Sequence, residues 1–142
     1  MAVRVRLRIR AGEREVVTNA LVNTGFETEE PLLLLPVRLA EVLDLWPPPE
    51  NASRVLMGTA GGPIYNFQIH QALEVSVIEE DREVGPVGCD ALVSQFEAEV
   101  LINDKLGEAL GLVILRMGEG VWRFSDDPPG RERRSVSPQY WP

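Results

Sequence analysis

The sequence predicts a mainly β fold with two short helices, and three observations carry that expectation. Val3-Arg4-Val5-Arg6-Leu7-Arg8-Ile9-Arg10 alternates apolar and charged residues with the two-residue period of a half-buried strand. An apolar strand ending in a sharp polar turn occurs twice, at Ala20-Leu21-Val22-Asn23-Thr24-Gly25 and at Glu99-Val100-Leu101-Ile102-Asn103-Asp104. Between the copies, Gly58-Thr59-Ala60-Gly61-Gly62-Pro63 separates two apolar arms as the tip of a hairpin would.

The elements follow in order. The arginine face of the first strand is read as a solvated face whose charges discourage edge pairing, in preference to an anion site. After a turn at Ala11-Gly12-Glu13, Glu15–Val22 is rich in β-branched residues and forms the second strand. Leu32-Leu33-Leu34-Leu35 is expected to be a short strand buried on both faces. Pro36 suits the first turn of a helix, Leu39, Val42, Leu43 and Trp46 mark its buried side, and Pro47-Pro48-Pro49 ends it.

Arg54–Met57 and Ile64–His70 are the arms of the glycine hairpin, with Tyr65, Phe67 and Ile69 on one face and Asn66, Gln68 and His70 on the other. Leu73–Ile78 is another strand. Val84–Val93 is apolar but interrupted by Gly85, Pro86 and Gly88, so it is expected to bend or bulge. Phe96–Ile102 is a strand, Asn103 or Asp104 caps the second helix, and Gly111 stops it. Leu112–Leu115 and Val121–Phe124 close a last hairpin around Gly118-Glu119-Gly120. Residues 125–142 have few apolar side chains and balanced charge, and are expected to be a flexible C-terminal tail, ordered only if something holds it. Tyr140 and Trp141 are its candidate anchors.

Bulk properties narrow the function classes. A length of 142 residues suits one domain. A formal net charge of −8 opposes phosphate-backbone binding, so no nucleic-acid partner is expected. No apolar run approaches the ~20 residues of a membrane span, so no membrane association is expected. One cysteine, Cys89, and an N-terminus unlike a signal peptide fit a cytoplasmic location.

The order of hairpin, Asn23-Thr24-Gly25 loop, leucine strand, helix, glycine hairpin and Leu101-Ile102-polar turn-helix resembles the retropepsin-like aspartic peptidases over roughly residues 3–124. The resemblance implies a closed, barrel-like acid-protease fold and a C2 homodimer. Each chain would supply one Asp-Thr-Gly loop and one flap to a shared site for a peptide or protein substrate, and no cofactor is implied. Here Thr24 and Gly25 match the loop, but Asn23 stands at the position of the catalytic aspartate. A carboxamide has no titratable proton near neutral pH and cannot be a general base, so the chain is expected to lack peptidase activity. A non-catalytic peptide- or protein-binding module on the same fold is the alternative.

By the same resemblance Gly58, Thr59, Ala60, Gly61 and Gly62 form the flap, and Glu27 stands where the family often has an acidic residue, contacting substrate backbone or a neighbouring cation; a solvated acid is an equal alternative. Asn103 takes a position usually held by glycine, where its tolerance of positive φ would let the turn close. Asp104 is read as a helix cap rather than a replacement acid. His70 and Cys89 allow a nucleophilic pair in form, but Cys89 in an apolar stretch reads as a core residue. One His and one Cys cannot supply the usual zinc sets, so no metal is expected. The glycine hairpin lacks the lysine and following helix of a phosphate loop.

Overall fold

Alternation decides the first hairpin. In the computed structural model, which describes residues 1–142, strand β1 (Arg4–Ala11) buries Val5, Leu7 and Ile9. It pairs antiparallel with β2 (Arg14–Val22) along its whole length, from Ala11↔Arg14 to Arg4↔Leu21. Gly12 takes φ +59 at the tight turn, a conformation glycine adopts without a Cβ penalty. The arginine face is ion-paired and mostly solvated: Arg8 meets Glu15 and Glu83, Arg10 meets Glu15, and Arg4 meets Glu99.

The chain is mainly β, with 49% of residues in strands and 8% in two short helices, and six strands close into a barrel. Around the ring these are β1, β2, β7 (Val100–Ile102), β3 (Leu32–Pro36), β6 (Glu83–Ser94) and β5 (Ile64–Ile78), with β5 returning to β1 through Leu7↔Val77 and Ile9↔Val75. Closure removes the free edges an open sheet would expose. Strand β4 (Ser53–Met57) adds to β5 outside the ring. A separate three-stranded sheet, β8 (Leu112–Arg116), β9 (Val121–Phe124) and β10 (Arg133–Arg134), delivers Trp122 and Phe124 to the core.

Leu32–Leu35 is buried throughout, as a strand enclosed on both faces should be. Leu33 and Leu35 join the main core. Leu34 joins Leu92 and Leu101 in a second, smaller cluster packed against Leu21, Phe26, Val55 and Met57. Each such side chain contributes about 1.5–3 kcal/mol by leaving water. The parallel pairing of β2 with β7, Ala20↔Val100 to Val22↔Ile102, brings the two polar turns side by side. Asn23 N–H donates to Ile102 O at 2.9 Å.

Several boundaries differ from the sequence expectation. Helix α1 (Val37–Val42) buries Leu39 and Ala40, and Leu43 is buried just beyond it, but Val42 is 45% exposed. The helix is under two turns long, and the chain leaves it through Asp44 at φ +60. The expected strands at 64–70 and 73–78 are one strand, β5, with a register shift between Ile69 and Leu73 where Gln71 takes φ +49. The bulge absorbs the break in alternation, so Ile69, Leu73, Val75 and Val77 are all buried. Phe96–Glu99 is not part of β7; Phe96 N–H donates to Ser94 Oγ, which turns the chain, and the Phe96 ring is exposed. Asn103 lies at φ −78, not at positive φ. It closes the turn as the N-cap of α2 (Asp104–Ala109), accepting from Leu106 N–H at 2.9 Å.

Residues 125–142 are held against the barrel. Arg133, 3% exposed, places its guanidinium on Asp127 (2.8 and 2.9 Å), Asp81 (2.7 and 2.9 Å) and Glu79 (3.1 Å). The same group lies over Phe124, 4.8 Å from the ring centre. Further on, Tyr140 bridges to Glu99, and Trp141 Nε1 donates to Thr18 Oγ1 at 3.1 Å. Tyr140 and Trp141 are the anchors expected from the sequence, whereas composition hides Arg133 because it is a single side chain and not part of a periodic apolar face.

Candidate functional site

Strand β2 ends in the loop that carries Asn23, Thr24 and Gly25. Gly25 N–H donates to Asn23 Oδ1 at 3.1 Å and Phe26 N–H to Asn23 O at 3.1 Å, so the loop is tied to its own first residue. The carboxamide is half-buried, and its Nδ2 makes no hydrogen bond within the chain. A Cβ at Gly25 would stand 3.4 Å from Asn23 Oδ1, so one chain alone makes only a mild demand for glycine there.

Opposite lies the hairpin of β4 and β5. Thr59 and Gly62 exchange backbone hydrogen bonds at 3.1 and 3.0 Å, Thr59 Oγ1 donates to Gly62 O at 2.5 Å, and it accepts from Gly61 N–H at 3.2 Å. Gly62 at φ +107 completes the turn in a region that disfavours any side chain. The tip is closed by its own bonds and is largely exposed.

Loop and hairpin face each other across a cleft of about 580 Å³. Of the residues singled out in the sequence, Asn23, Gly25, Glu27, Gly58, Thr59 and Ala60 line it. Gly61 and Gly62 belong to the hairpin tip but do not line the cleft. Thr24 lines a neighbouring hollow with Val22, Asn103 and Asp104. The cleft floor is the smaller apolar cluster, Leu34, Leu92 and Leu101, flanked by Met57 and Ile64. A floor of leucines under polar walls suits an extended chain with apolar side chains.

Sequence reasoning missed Asn66, Ser94 and Glu97 in the same lining. Asn66 is 3% exposed, and its Oδ1 has no hydrogen-bond partner. Its place on one face with Gln68 was legible from strand alternation. Glu97 had no signal, because it lies in the turn that replaces the expected strand start.

The other candidates resolve separately. Asp104 Oδ1 accepts from Lys105 N–H at 2.7 Å and stands outside the cleft, so it is a helix residue here. Burial pushes the Cys89 thiol up to about 12, with the Asp90 charge adding to it, so no thiolate forms near neutral pH. His70 bonds to Asp90 instead, Nδ1 to Oδ2 at 2.9 Å, and that bond raises the imidazole's pKa. Burial opposes ionisation of Asp90, but donors from Gln71 N–H, Gln68 and His70 outweigh it and hold the carboxyl below its ordinary range.

No helix is long and apolar enough to cross a membrane. No protein-family model matches the chain, and no curated protein matches it.

Proposed function

We propose that the chain is one half of a C2 homodimer of the retropepsin-like aspartic peptidase type, and that with Asn23 in the acid's place its cleft binds extended peptides without cutting them. The observation that carries this reading is the cleft itself, in which the Asn23 loop faces the Gly58–Gly62 hairpin over a floor of Leu34, Leu92 and Leu101. A peptidase of this type needs two carboxylates sharing one proton around a water, one abstracting its proton and the other polarising the scissile carbonyl. Two carboxamides meeting at a dyad hydrogen-bond amide to amide, which keeps the loop geometry but supplies no base. Thr24 is exposed and outside the cleft, and in this reading it bonds across the dyad to the partner loop. The hairpin and the cleft floor would hold substrate backbone as added strands do.

The test is peptide binding together with subunit mass. A labelled unfolded polypeptide titrated with the protein should bind saturably, and light scattering should give twice the chain mass. Met57→Arg, at the cleft wall, should weaken binding several-fold without changing the mass. A monomer that binds no peptide at micromolar concentration overturns the proposal.

A further inference from the structure

On the wall of the barrel outside the cleft, three segments bring together one imidazole and two carboxylates. Glu30 comes from the segment that follows the Asn23 loop, His70 from β5 and Asp90 from β6. We propose that Glu30, His70 and Asp90 form a binding site for a divalent first-row transition ion of the zinc type, independent of the reading of the cleft.

The distances fit. His70 Nδ1 lies 2.9 Å from Asp90 Oδ2 and 3.7 Å from Glu30 Oε2, and the three ligand atoms all fall within 4.8 Å of one another. A point equidistant from them lies within roughly 2.4 Å of each, against ~2.0–2.2 Å for zinc bonds to nitrogen and oxygen. Small side-chain rotations of the exposed His70 and Glu30 close that difference.

The site also has the outer bonds that hold metal ligands in place. Asp90 is 2% exposed; Gln71 N–H donates to its Oδ1 at 2.7 Å and Gln68 Nε2 to its Oδ2 at 2.8 Å. The register shift in β5, with Gln71 at φ +49, presents Gln71 N–H and His70 Nδ1 to the same carboxylate. Glu30 is positioned through its backbone, where Asn103 Nδ2 donates to Glu30 O at 3.0 Å. The side chains of His70 and Glu30 are 64% and 57% exposed, which leaves the remaining coordination positions to water.

A simple His–Asp pair does not account for Glu30. Its Oε2 stands 3.7 Å from His70 Nδ1, beyond hydrogen-bond distance, so the contact between His70 and Asp90 does not use it. With neutral imidazole the cluster carries two negative charges, which a divalent cation balances. Imidazole favours zinc and its neighbours over calcium, which takes 6–8 oxygens. A bound ion would also tie the segment behind the Asn23 loop to the strand that forms one arm of the hairpin.

The experiment uses untagged, chelator-treated protein titrated with zinc chloride, read by calorimetry and by NMR of the histidine ring. His70 is the only histidine, so one set of ring signals reports the site. The expected result is one ion per chain with saturable movement of those signals. His70→Ala and Glu30→Gln should each weaken binding at least about tenfold, and Glu30→Gln, at an exposed side chain, should leave the ion-free thermal midpoint unchanged. Calcium at the same concentrations should not compete. Absence of saturable binding up to millimolar zinc overturns the proposal, as does undiminished binding in either variant. Equal binding of calcium overturns the ion class.

Discussion

Asn23 and Asn103 stand at the ends of the parallel neighbours β2 and β7, each following an apolar strand and opening a turn. Asn103 is fully buried and uses every hydrogen-bonding position of its amide. Its Oδ1 accepts from Leu32 N–H (3.0 Å) and Leu106 N–H (2.9 Å), and its Nδ2 donates to Thr28 Oγ1 (2.6 Å) and Glu30 O (3.0 Å). The Asn23 side chain is half-buried, its Oδ1 accepts only from Gly25 N–H, and its amide donors have no partner in the chain. The same side chain is structural where the fold consumes it and available to a ligand where the fold does not. Satisfaction by neighbours, and not residue type, separates the two.

The comparison breaks first at Asn103. Asn103→Ala removes an N-cap, worth about 1 kcal/mol, and strands the buried Leu32 N–H at about 1–3 kcal/mol, while Glu30 O keeps its bond from Thr28 Oγ1. A loss of about 2–4 kcal/mol is expected in urea unfolding, with Asn23→Ala losing less than about 1 kcal/mol. Equal losses at the two positions would erase the distinction.

A second fully partnered group sharpens it. Arg133 holds the C-terminal segment through Asp127, Asp81 and Glu79. Arg133→Ala leaves buried Asp127 without its main partner and should cost about 3 kcal/mol, measured the same way. The same cluster sets an acid limit. Hydrogen bonds from Arg133 hold Asp81 down to about 2 and Asp127 well below the carboxylate range. Both folded-state values lie below the unfolded value of about 4. Their contribution is therefore constant above about pH 4 and is lost as pH falls toward 2 and below. Urea midpoints between pH 2 and 5 should fall steeply for the natural chain and less steeply for Arg133→Ala.

The smallest effect belongs to the hairpin tip. Thr59→Ala removes the bonds of Thr59 Oγ1 to Gly62 O and Gly61 N–H at an exposed turn. Global stability should change by less than about 1 kcal/mol. Amide exchange at Gly61 and Gly62 should quicken, while Leu21 and Val22 stay protected. Exchange unchanged at the tip would mean that the backbone pair between Thr59 and Gly62 holds it alone.

Periodicity made much of the fold legible. The alternation of Val3–Arg10, the leucine run at 32–35 and the paired strand–turn plans each became the expected element. What periodicity could not express was partnership. The two arms of β5 are one strand because Gln71 absorbs a bulge, and the 125–142 segment is held not only by Trp141, a candidate anchor in the sequence, but by Arg133, an isolated residue without a pattern. Within the cleft, the Asn23 loop and the Gly58–Ala60 stretch were legible from their turn chemistry. Asn66, Ser94 and Glu97 were not, since lining a cleft depends on how distant strands meet. Asn103 caps the second helix, one of the two positions expected for the cap, but at ordinary φ and not at the positive φ expected of it.

The central claim is that Asn23 occupies the place of a catalytic acid in a peptide cleft shared by two chains. Asn23→Asp tests it most directly. Both forms are incubated with unfolded protein between about pH 3 and 7, with subunit mass measured in parallel. Two aspartates meeting at a dyad titrate as a pair and share one proton. The variant should therefore cut on the acidic side and lose activity as both carboxyls ionise, while the Asn23 form cuts nothing. A dimeric Asn23→Asp protein that leaves the substrate intact, or cleavage by the Asn23 form itself, would contradict the account.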